Sequence, residues 1–441
     1  MDKAAIILAA GAGTRMKSAL PKVLHKVAGL PMLGHVVGAL RGAGVGRIVV
    51  VTAPAGEAVR AYAAQLGCET AIQEQQLGTG HAAAAARGAL ADFAGTLVIA
   101  AGDSPLITPM LVSDLLKAQL RTGLALVAFN ATDPAAYGRV LMTPDGFLGR
   151  IVEFKDASEA ERKITLCNGG LYAVDAQKFF RWAAALKNSN AQGEYYLTDV
   201  PGIARADGVK CALAFAEEAL VAGVNSRAEL AAAEALMQQA IRRRFLESGV
   251  AMSAPETVWF SHDTAIGNDA VIEPHVVFGA GVTVAGGAVI RAFSHLEGAN
   301  VAAGAIVGPY ARLRPGAVIG EGAHIGNFVE VKNTTIGAGA KANHLTYLGD
   351  ALVGAKANIG AGTITCNYDG FTKATTEIGA GAFIGSDTAL VAPVKVGAGA
   401  ITAAGSVITE DVPADALAIA RGTQTVKPGW AATFRASKET K

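Results

Sequence analysis

The sequence predicts an α/β domain with a mainly parallel sheet, then a bridging helix, then a parallel β-helix. Three observations carry that reading. Short apolar runs alternate with segments of helical period up to about residue 225. A capping box, Ser226-Arg227-Ala228-Glu229, opens one long amphipathic segment. Beyond about Ala251, apolar residues recur at every sixth position. A chain of 441 residues is too long for one ordinary core, and the expected divisions are 1–225, 226–250 and 251–441.

In the first division, the runs Ala4–Ala9, Arg47–Thr52, Thr96–Ala101 and Leu124–Asn130 have the length and apolar content of buried strands. Stretches of helical period lie between them, including Gly56–Leu66 and Pro109–Thr122. Pro144-Asp145-Gly146 sits between two β-rich runs and reads as a hairpin turn, which predicts an antiparallel excursion. The bridging helix carries Leu230, Met237 and Ile241 on one face, and Ser248-Gly249 stops it near Glu247.

The period of six runs through Ile266, Ile272, Phe278, Val284, Ile290 and Leu296. After a one-residue slip it continues at Val301, Val307, Leu313, Ile319, Ile325 and Val331. Two further slips carry it through Ile336, Ala342 and Leu348, then Val353 and Ile359. It resumes at Ile378, Ile384, Leu390 and Val396, and Thr402 interrupts the apolar series before Ile408. One aliphatic residue per short strand fills a continuous core, and small residues form the corners. Glycine content does not separate the halves, since 26 of the first 250 residues and 27 of the last 191 are Gly; the period does. The stretch from about Asn367 to Thr376 cannot sit on this grid and reads as a loop thrown out from one face. The tail beyond Gly429, ending Lys438-Glu439-Thr440-Lys441, has the composition of a fraying terminus.

Composition excludes several function classes. Hydrophobic residues make up 51% and charged residues 17%, with a formal net charge of +1, so the chain is globular and carries no electrostatic footprint for nucleic acid. The one basic run, Arg242-Arg243-Arg244, falls on the bridging helix and reads as a solvated face. No apolar run reaches the roughly 18 residues of a membrane span, and Ala4–Ala10 leads into a glycine loop rather than a cleavage signal. Cys68, Cys167, Cys211 and Cys366 lack C-x-x-C spacing, which argues against disulfides and zinc and for a reducing compartment. The expectation is a cytoplasmic protein without nucleic-acid or membrane partners.

Chemistry first appears where the first strand ends, in Leu8-Ala9-Ala10-Gly11-Ala12-Gly13-Thr14-Arg15-Met16, with Pro21-Lys22 shortly after. Glycines after a strand let backbone N–H groups approach phosphates, and Arg15 and Lys22 add charge. Met16 stands where both the dinucleotide fingerprint and the Walker A loop require glycine, so neither applies. As a bare G-x-G the segment reads equally well as a tight turn. The full string resembles the signature of the sugar-phosphate nucleotidyltransferases, which join a sugar 1-phosphate to the α-phosphate of a nucleoside triphosphate and release pyrophosphate.

That resemblance implies a Rossmann-like nucleotidyltransferase domain, with Leu8, Ala9, Gly11, Gly13, Arg15 and Lys22 holding UTP and its product. Asp103 ends the strand Thr96–Ala101, where such sheets place ligands, and its carboxylate suits Mg2+. Its alternative is a turn residue before the helix at Thr108-Pro109. Asn225 matches the family's second metal position and contacts the nucleotide sugar; the same side chain could instead cap the bridging helix. Gln73, with Gly78 and Thr79 of Leu77-Gly78-Thr79-Gly80-His81, resembles the base-reading segment, an amide offering the donor and acceptor that uracil requires. Gly138, Glu153 and Asn168 match the elements that hold the acetamido sugar, although Glu153 also reads as a hairpin ion-pair partner.

Exceptions to the repeat supply the second set of candidates. Arg314 follows Leu313 and Lys332 follows Val331, 18 residues apart, where many repeats carry a small residue. Three hexads to a triangular coil place both cations on one corner about 4.8 Å apart, where an anion relieves their repulsion. An exposed basic ladder is the other reading. The strings Ala311–Gly316, Asn343–Asp350, Asn358–Ile364 and Cys366–Gly370 extend the likeness over nearly the whole chain. It then resembles the family of bifunctional bacterial N-acetylglucosamine-1-phosphate uridyltransferases/glucosamine-1-phosphate N-acetyltransferases.

By that resemblance His344 is the general base that deprotonates the glucosamine amine. Arg314, Lys332, Tyr347 and Asn358 bind the sugar phosphate. Ala361, Ser386, Ala404 and Arg421, with Asn367, Tyr368 and Lys373 of the loop, serve acetyl-CoA, and Asn367 and Lys373 also assist at the sugar phosphate. The family further implies a left-handed β-helix and a homotrimer with acetyltransferase sites between neighbouring β-helices. Spacing does not separate His344 from His262, His275, His295 and His324, and none of the five forms a metal-like pair. The implied function is synthesis of UDP-N-acetylglucosamine, for peptidoglycan and lipopolysaccharide, from acetyl-CoA, UTP and glucosamine 1-phosphate through N-acetylglucosamine 1-phosphate. The competing reading makes the β-helix only a trimerisation scaffold for a single-activity nucleotidyltransferase; it has no use for the paired cations, His344 or the off-grid loop.

Overall fold

The computed structural model describes residues 2–439, and the chain splits into two compact units, Met1–Gln239 and Ala240–Lys441. The first unit contains β1 (Lys3–Leu8), β2 (Lys26–Val27), β3 (Leu30–Pro31), β4 (Arg47–Thr52), β5 (Glu69–Ile72) and β6 (Thr96–Ala101). After these come β7 (Gly123–Asn130), β8 (Arg139–Met142), β9 (Leu148–Val152), β10 (Leu166–Asp175) and β11 (Lys210–Phe215). The main sheet has the order β11-β7-β10-β6-β1-β4-β5. Strands β1, β4, β5 and β6 run parallel, as does β11 against β7. Strand β10 is antiparallel to both neighbours, so the antiparallel excursion reaches the middle of the sheet. The hairpin β8–β9 branches from it and turns at Pro144-Asp145-Gly146, where Gly146 N–H donates to Thr143 O at 3.0 Å.

Both faces of this sheet are covered, which is why its strands read as unbroken apolar runs rather than alternations. Ala5 and Ile7 pack with Leu33, Val37, Leu111 and Leu115 from the helices Met32–Gly42 and Pro109–Thr122. Ala4 and Ile6 pack with Ala83, Phe179 and Trp182 from the helices Thr79–Ala85 and Ala176–Ala183. Each of the larger aliphatic and phenyl side chains, fully buried, contributes about 1.5–3 kcal/mol, and each alanine methyl group under about 1 kcal/mol. The result holds the carboxyl ends of β1 and β6 at a fixed edge, where the glycine loop and Asp103 begin.

The expected bridging helix spans Arg227–Glu247. Its capping box is displaced by one residue: Ser226 Oγ accepts the Glu229 N–H at 3.2 Å, but the Glu229 carboxylate accepts the Asn225 N–H at 2.6 Å. Leu230 and Met237 pack on Val27, Met32, Leu106 and Val224.

The second unit is a left-handed parallel β-helix of two- to four-residue strands stacked into three ladders. One coil is 18 residues where the grid is regular, as in Leu313 opposite Val331, and 17 where it slips, as in Ile319 opposite Ile336 and Ile336 opposite Val353. Grid residues from Ile272 to Ile408 are buried. Thr402 keeps its place because its hydroxyl accepts the Gly385 N–H at 3.1 Å. Thr365 is a core position that an apolar reading passes over; it is 1% exposed, and its hydroxyl accepts the Gly349 N–H at 2.8 Å. The loop leaves the stack after Cys366 and rejoins it at Thr376. In the tail beyond Gly429, Trp430–Glu439 is helical with all its residues exposed; Thr440 and Lys441 lie outside the described residues.

Candidate active sites

The loop after β1 is built around Gly13. Its φ is +61°, and a Cβ there would sit 2.9 Å from the Cβ of Lys22, so a side chain is excluded by both backbone and space. The turn Thr14–Met16 buries Met16 and brings the chain back to Lys22. Lys22 Nζ pairs with the Asp103 carboxylate, and it donates to Asn225 Oδ1 at 2.9 Å. The Asn225 segment is pinned there because Val224 N–H donates to Asp103 O at 2.9 Å. Ser226 fills the cap, which leaves the Asn225 side chain facing Lys22.

Two hard oxygens therefore converge on one ammonium, with the Lys22 and Asp103 side chains only 14% and 16% exposed. That is a cation position, and a divalent ion fits the same donors. Among the described residues no group of three or more His, Cys, Asp or Glu could cage a metal. An ion held here would take its other ligands from substrate phosphate and water, as Mg2+ commonly does.

Beside it lies a cavity of about 350 Å³. Leu8, Ala9, Gly11, Lys22, Gln73, Gly78, Thr79 and Asp103 line it, so the glycine loop and the Leu77–His81 segment share one space. Sequence reasoning missed two polar residues there. Gln76 lines the cavity and its amide donates to Ala10 O at 2.6 Å; its neighbour Gln73 was the only available signal. Glu194 arrives from a distant segment with no motif around it. Arg15 and Asn225 line a second cavity, of about 530 Å³, together with Tyr137 and Glu229.

Gly138, Glu153 and Asn168 line neither cavity but meet each other where β8, β9 and β10 converge. Asn168 N–H donates to Gly138 O at 2.9 Å, and a Cβ on Gly138 would lie 3.4 Å from the Glu153 carboxylate. Glu153 accepts the Thr198 hydroxyl at 2.9 Å rather than pairing with a cation. Burial pushes its pKa up, against that hydrogen bond.

In the β-helix, register decides which residues share an edge. Leu313, Val331 and Leu348 are opposite one another on successive coils, so Arg314, Lys332 and Gly349 follow them on one corner. Arg314 donates to Glu330 at 2.8 Å. Lys332 is held below the ordinary lysine range, first by Lys373 of the loop, then by desolvation and by Arg314. The loop itself is anchored: Asn367 is 8% exposed and its amide donates to the Asp350 carboxylate. Arg314, Lys332 and Lys373 thus gather near two carboxylates, Glu330 and Asp350, and Arg312 adds a fourth cation 3.8 Å from Glu330. Tyr347 lies on the same ladder, opposite Glu330.

A neighbouring corner carries the other candidates. Ile325, Ala342, Ile359, Ile384 and Thr402 are successive partners in one ladder. Two positions after each stand Asn327, His344, Ala361, Ser386 and Ala404, so these five occupy one edge of the prism on consecutive coils. The irregular spacing of 17, 25 and 18 residues from His344 to Ala404 concealed this; the 25-residue step contains the loop. Arg421 closes the series by donating to Ala404 O at 2.8 Å. His344 is exposed, and its Nδ1 lies 2.9 Å from Asn327 Oδ1. An amide oxygen only accepts, so Nδ1 carries a proton, and in the neutral ring the lone pair is on Nε2.

The next position along that edge changes character at the same point. His275, Phe293, Tyr310 and Phe328 stack ring on ring at 4.9 to 5.4 Å, and exposed Leu345 follows. Beyond it the series is Gly362, Asp387 and Gly405. The edge is bulky up to His344 and small past it.

Comparison with known proteins agrees with both halves. Residues 5–249 match the MobA-like NTP transferase domain family, and residues 298–333 match the bacterial transferase hexapeptide family of six repeats. The chain is 56% identical over 443 residues to the bifunctional protein GlmU of Acidiphilium cryptum, covering 99% of each chain. It is 54% identical to that of Jannaschia sp., covering 98% of this chain and 96% of the relative, and 52% identical to that of Paramagnetospirillum magneticum, covering 99% and 98%. The chain belongs to the family of bifunctional GlmU proteins.

Proposed function

We propose a division of labour in which residues 1–225 transfer the uridylyl group, 226–250 link, and 251–441 transfer the acetyl group. The chain is a bifunctional transferase of UDP-N-acetylglucosamine synthesis. Acetyl-CoA acetylates glucosamine 1-phosphate, and the N-acetylglucosamine 1-phosphate formed then attacks UTP and releases pyrophosphate.

At the first site, the backbone of Leu8 to Gly13 with Arg15 and Lys22 holds the triphosphate. Gln73, Gly78 and Thr79 receive the base, and Gly138, Glu153 and Asn168 the acetamido sugar. A phosphate oxygen of the sugar phosphate attacks the α-phosphorus in line, and the bond to the β-phosphate oxygen breaks. The chain's task is positioning and charge neutralisation, with no covalent intermediate. Asp103 and Asn225 would hold Mg2+, which when bound adds positive charge at the phosphates.

At the second site, Arg314, Lys332 and Lys373 hold the sugar phosphate with Tyr347, Asn358 and Asn367. His344 Nε2 accepts a proton from the amine as the nitrogen attacks the acetyl carbonyl; the C–S bond then breaks, and the CoA thiolate takes up that proton and leaves as the thiol. Ala361, Ser386, Ala404, Tyr368 and Arg421 line the path of acetyl-CoA. The observation that carries this reading is the single edge shared by His344, Ala361, Ser386 and Ala404, turning from bulky to small past His344. A scaffold needs neither that edge nor the three cations beside it.

We infer a homotrimer, supported by the hexapeptide repeats and by the exposed ring ladder, which offers apolar area for a second copy. Among the described residues no helix is long and apolar enough to cross a membrane. We infer a cytoplasmic setting from the cysteines, since Cys68, Cys167, Cys211 and Cys366 are all free. Glucosamine 1-phosphate and acetyl-CoA supplied without UTP should release free thiol. The absence of thiol with folded, uridylyl-active protein would sink the acetyltransferase assignment and favour the scaffold.

A further inference from the structure

We infer that His81 sets the pyrimidine preference of the uridylyl site by holding the Gln73 amide in one orientation. The inference rests on the reading of Gln73 as the base contact and adds to it a residue that never touches the base. Gln73 is 3% exposed and lines the cavity. Its Nε2 lies 3.0 Å from Gly78 O and 3.2 Å from His81 Nδ1.

Gly78 O is a carbonyl and can only accept, so the nitrogen end of the amide must face it. That carbonyl cannot swing aside. Gly78 has φ +106°, where a Cβ would lie 2.7 Å from Tyr195 O, and its oxygen also accepts the Ala82 N–H at 3.0 Å. The second amide N–H points at His81 Nδ1, which must then be the unprotonated ring nitrogen. Among the described residues Gln73 Oε1 has no protein partner. Both donors are satisfied inside the protein and only the acceptor faces the cavity, so Gln73 does not offer uracil the donor expected of its amide.

An acceptor there matches the N3–H of uracil. It meets the N3 lone pair of cytosine with a second lone pair, and an inverted amide would set Oε1 against Gly78 O. Discrimination therefore depends on the amide staying as it is. Gly78 supplies one contact to hold it and His81 the other, so His81 is a positioning residue. A site committed to one hydrogen-bond polarity rejects the wrong partner strongly, because buried groups are left unpaired.

The test is the ratio of kcat/KM for UTP over CTP, measured for uridylyl or cytidylyl transfer to N-acetylglucosamine 1-phosphate by the full chain. His81→Ala is expected to lower that ratio by about tenfold or more. His81→Asn, whose Oδ1 can stand near the position of Nδ1, should keep it within about threefold of the unsubstituted ratio. If His81→Ala leaves the ratio unchanged, or lowers both rates equally, His81 does not position the amide and the inference fails. Gln73→Leu separates the underlying reading: if it also leaves the ratio unchanged, Gln73 does not read the base. A ratio that falls for Gln73→Leu but not for His81→Ala overturns the His81 role alone.

Discussion

Replacing His344 by Ala is expected to slow acetyl transfer by about 10²–10⁴-fold, the usual contribution of a positioned general base, and to leave uridylyl transfer unchanged. An ammonium has no lone pair, so the amine of glucosamine must lose a proton before or as it attacks. His344 is exposed at the edge, and the bond from its Nδ1 to Asn327 Oδ1 leaves Nε2 as the basic atom. Nothing in the core depends on it: Ala342, two residues earlier, is the buried member of that strand. The loss should appear in kcat more than in KM, since the phosphate contacts proposed for Arg314, Lys332 and Lys373 are left in place. Thiol release with glucosamine 1-phosphate and acetyl-CoA measures it.

Asp103→Asn is expected to do the reverse, lowering uridylyl transfer by about 10²–10³-fold or more while acetylation persists. The substitution preserves shape but removes the one carboxylate that faces Lys22. Lys22 then meets two amide oxygens, and the site loses its only formal negative charge among the three groups. Pyrophosphate release from UTP and N-acetylglucosamine 1-phosphate reports the change. A folded Asp103→Asn protein that lost both activities would contradict the assignment of two sites.

How much of this was legible in the sequence depended on the range of the signal. The six-residue period is local, and it located core residues from Ile272 to Ile408 because each coil repeats the same geometry. It passed over Thr365, since a threonine on the core grid is recognisable only once its hydroxyl is seen to accept the Gly349 N–H. The slips in the grid became intelligible as 17-residue coils. The strand runs of the first unit were equally plain, being buried on both faces. The central place of β10 was not, because sheet order is a long-range property that no segment encodes.

The candidate sites divide in the same way. The glycine loop, Asp103 and the paired cations announced themselves through residue type at a fixed offset. Glu194 and Gln76 did not, since they join the cavity through folding rather than through a motif. Asn225 had two readings in the sequence, cap or ligand; Ser226 takes the cap and the Asn225 side chain turns to Lys22. The alignment of His344 with Ala361, Ser386 and Ala404 was hidden because the loop inserts extra residues between two coils of one edge.

The central claim, two separable active sites on one chain, is tested most directly by mixing His344→Ala and Asp103→Asn proteins, each assembled beforehand. Each is given glucosamine 1-phosphate, acetyl-CoA and UTP, and UDP-N-acetylglucosamine is measured. Neither variant alone should form it at more than a small fraction of the normal rate, and the mixture should restore it, because the acetylated sugar phosphate made on one protein can be used by the other. A mixture of folded proteins that stays as inactive as its parts would contradict the account.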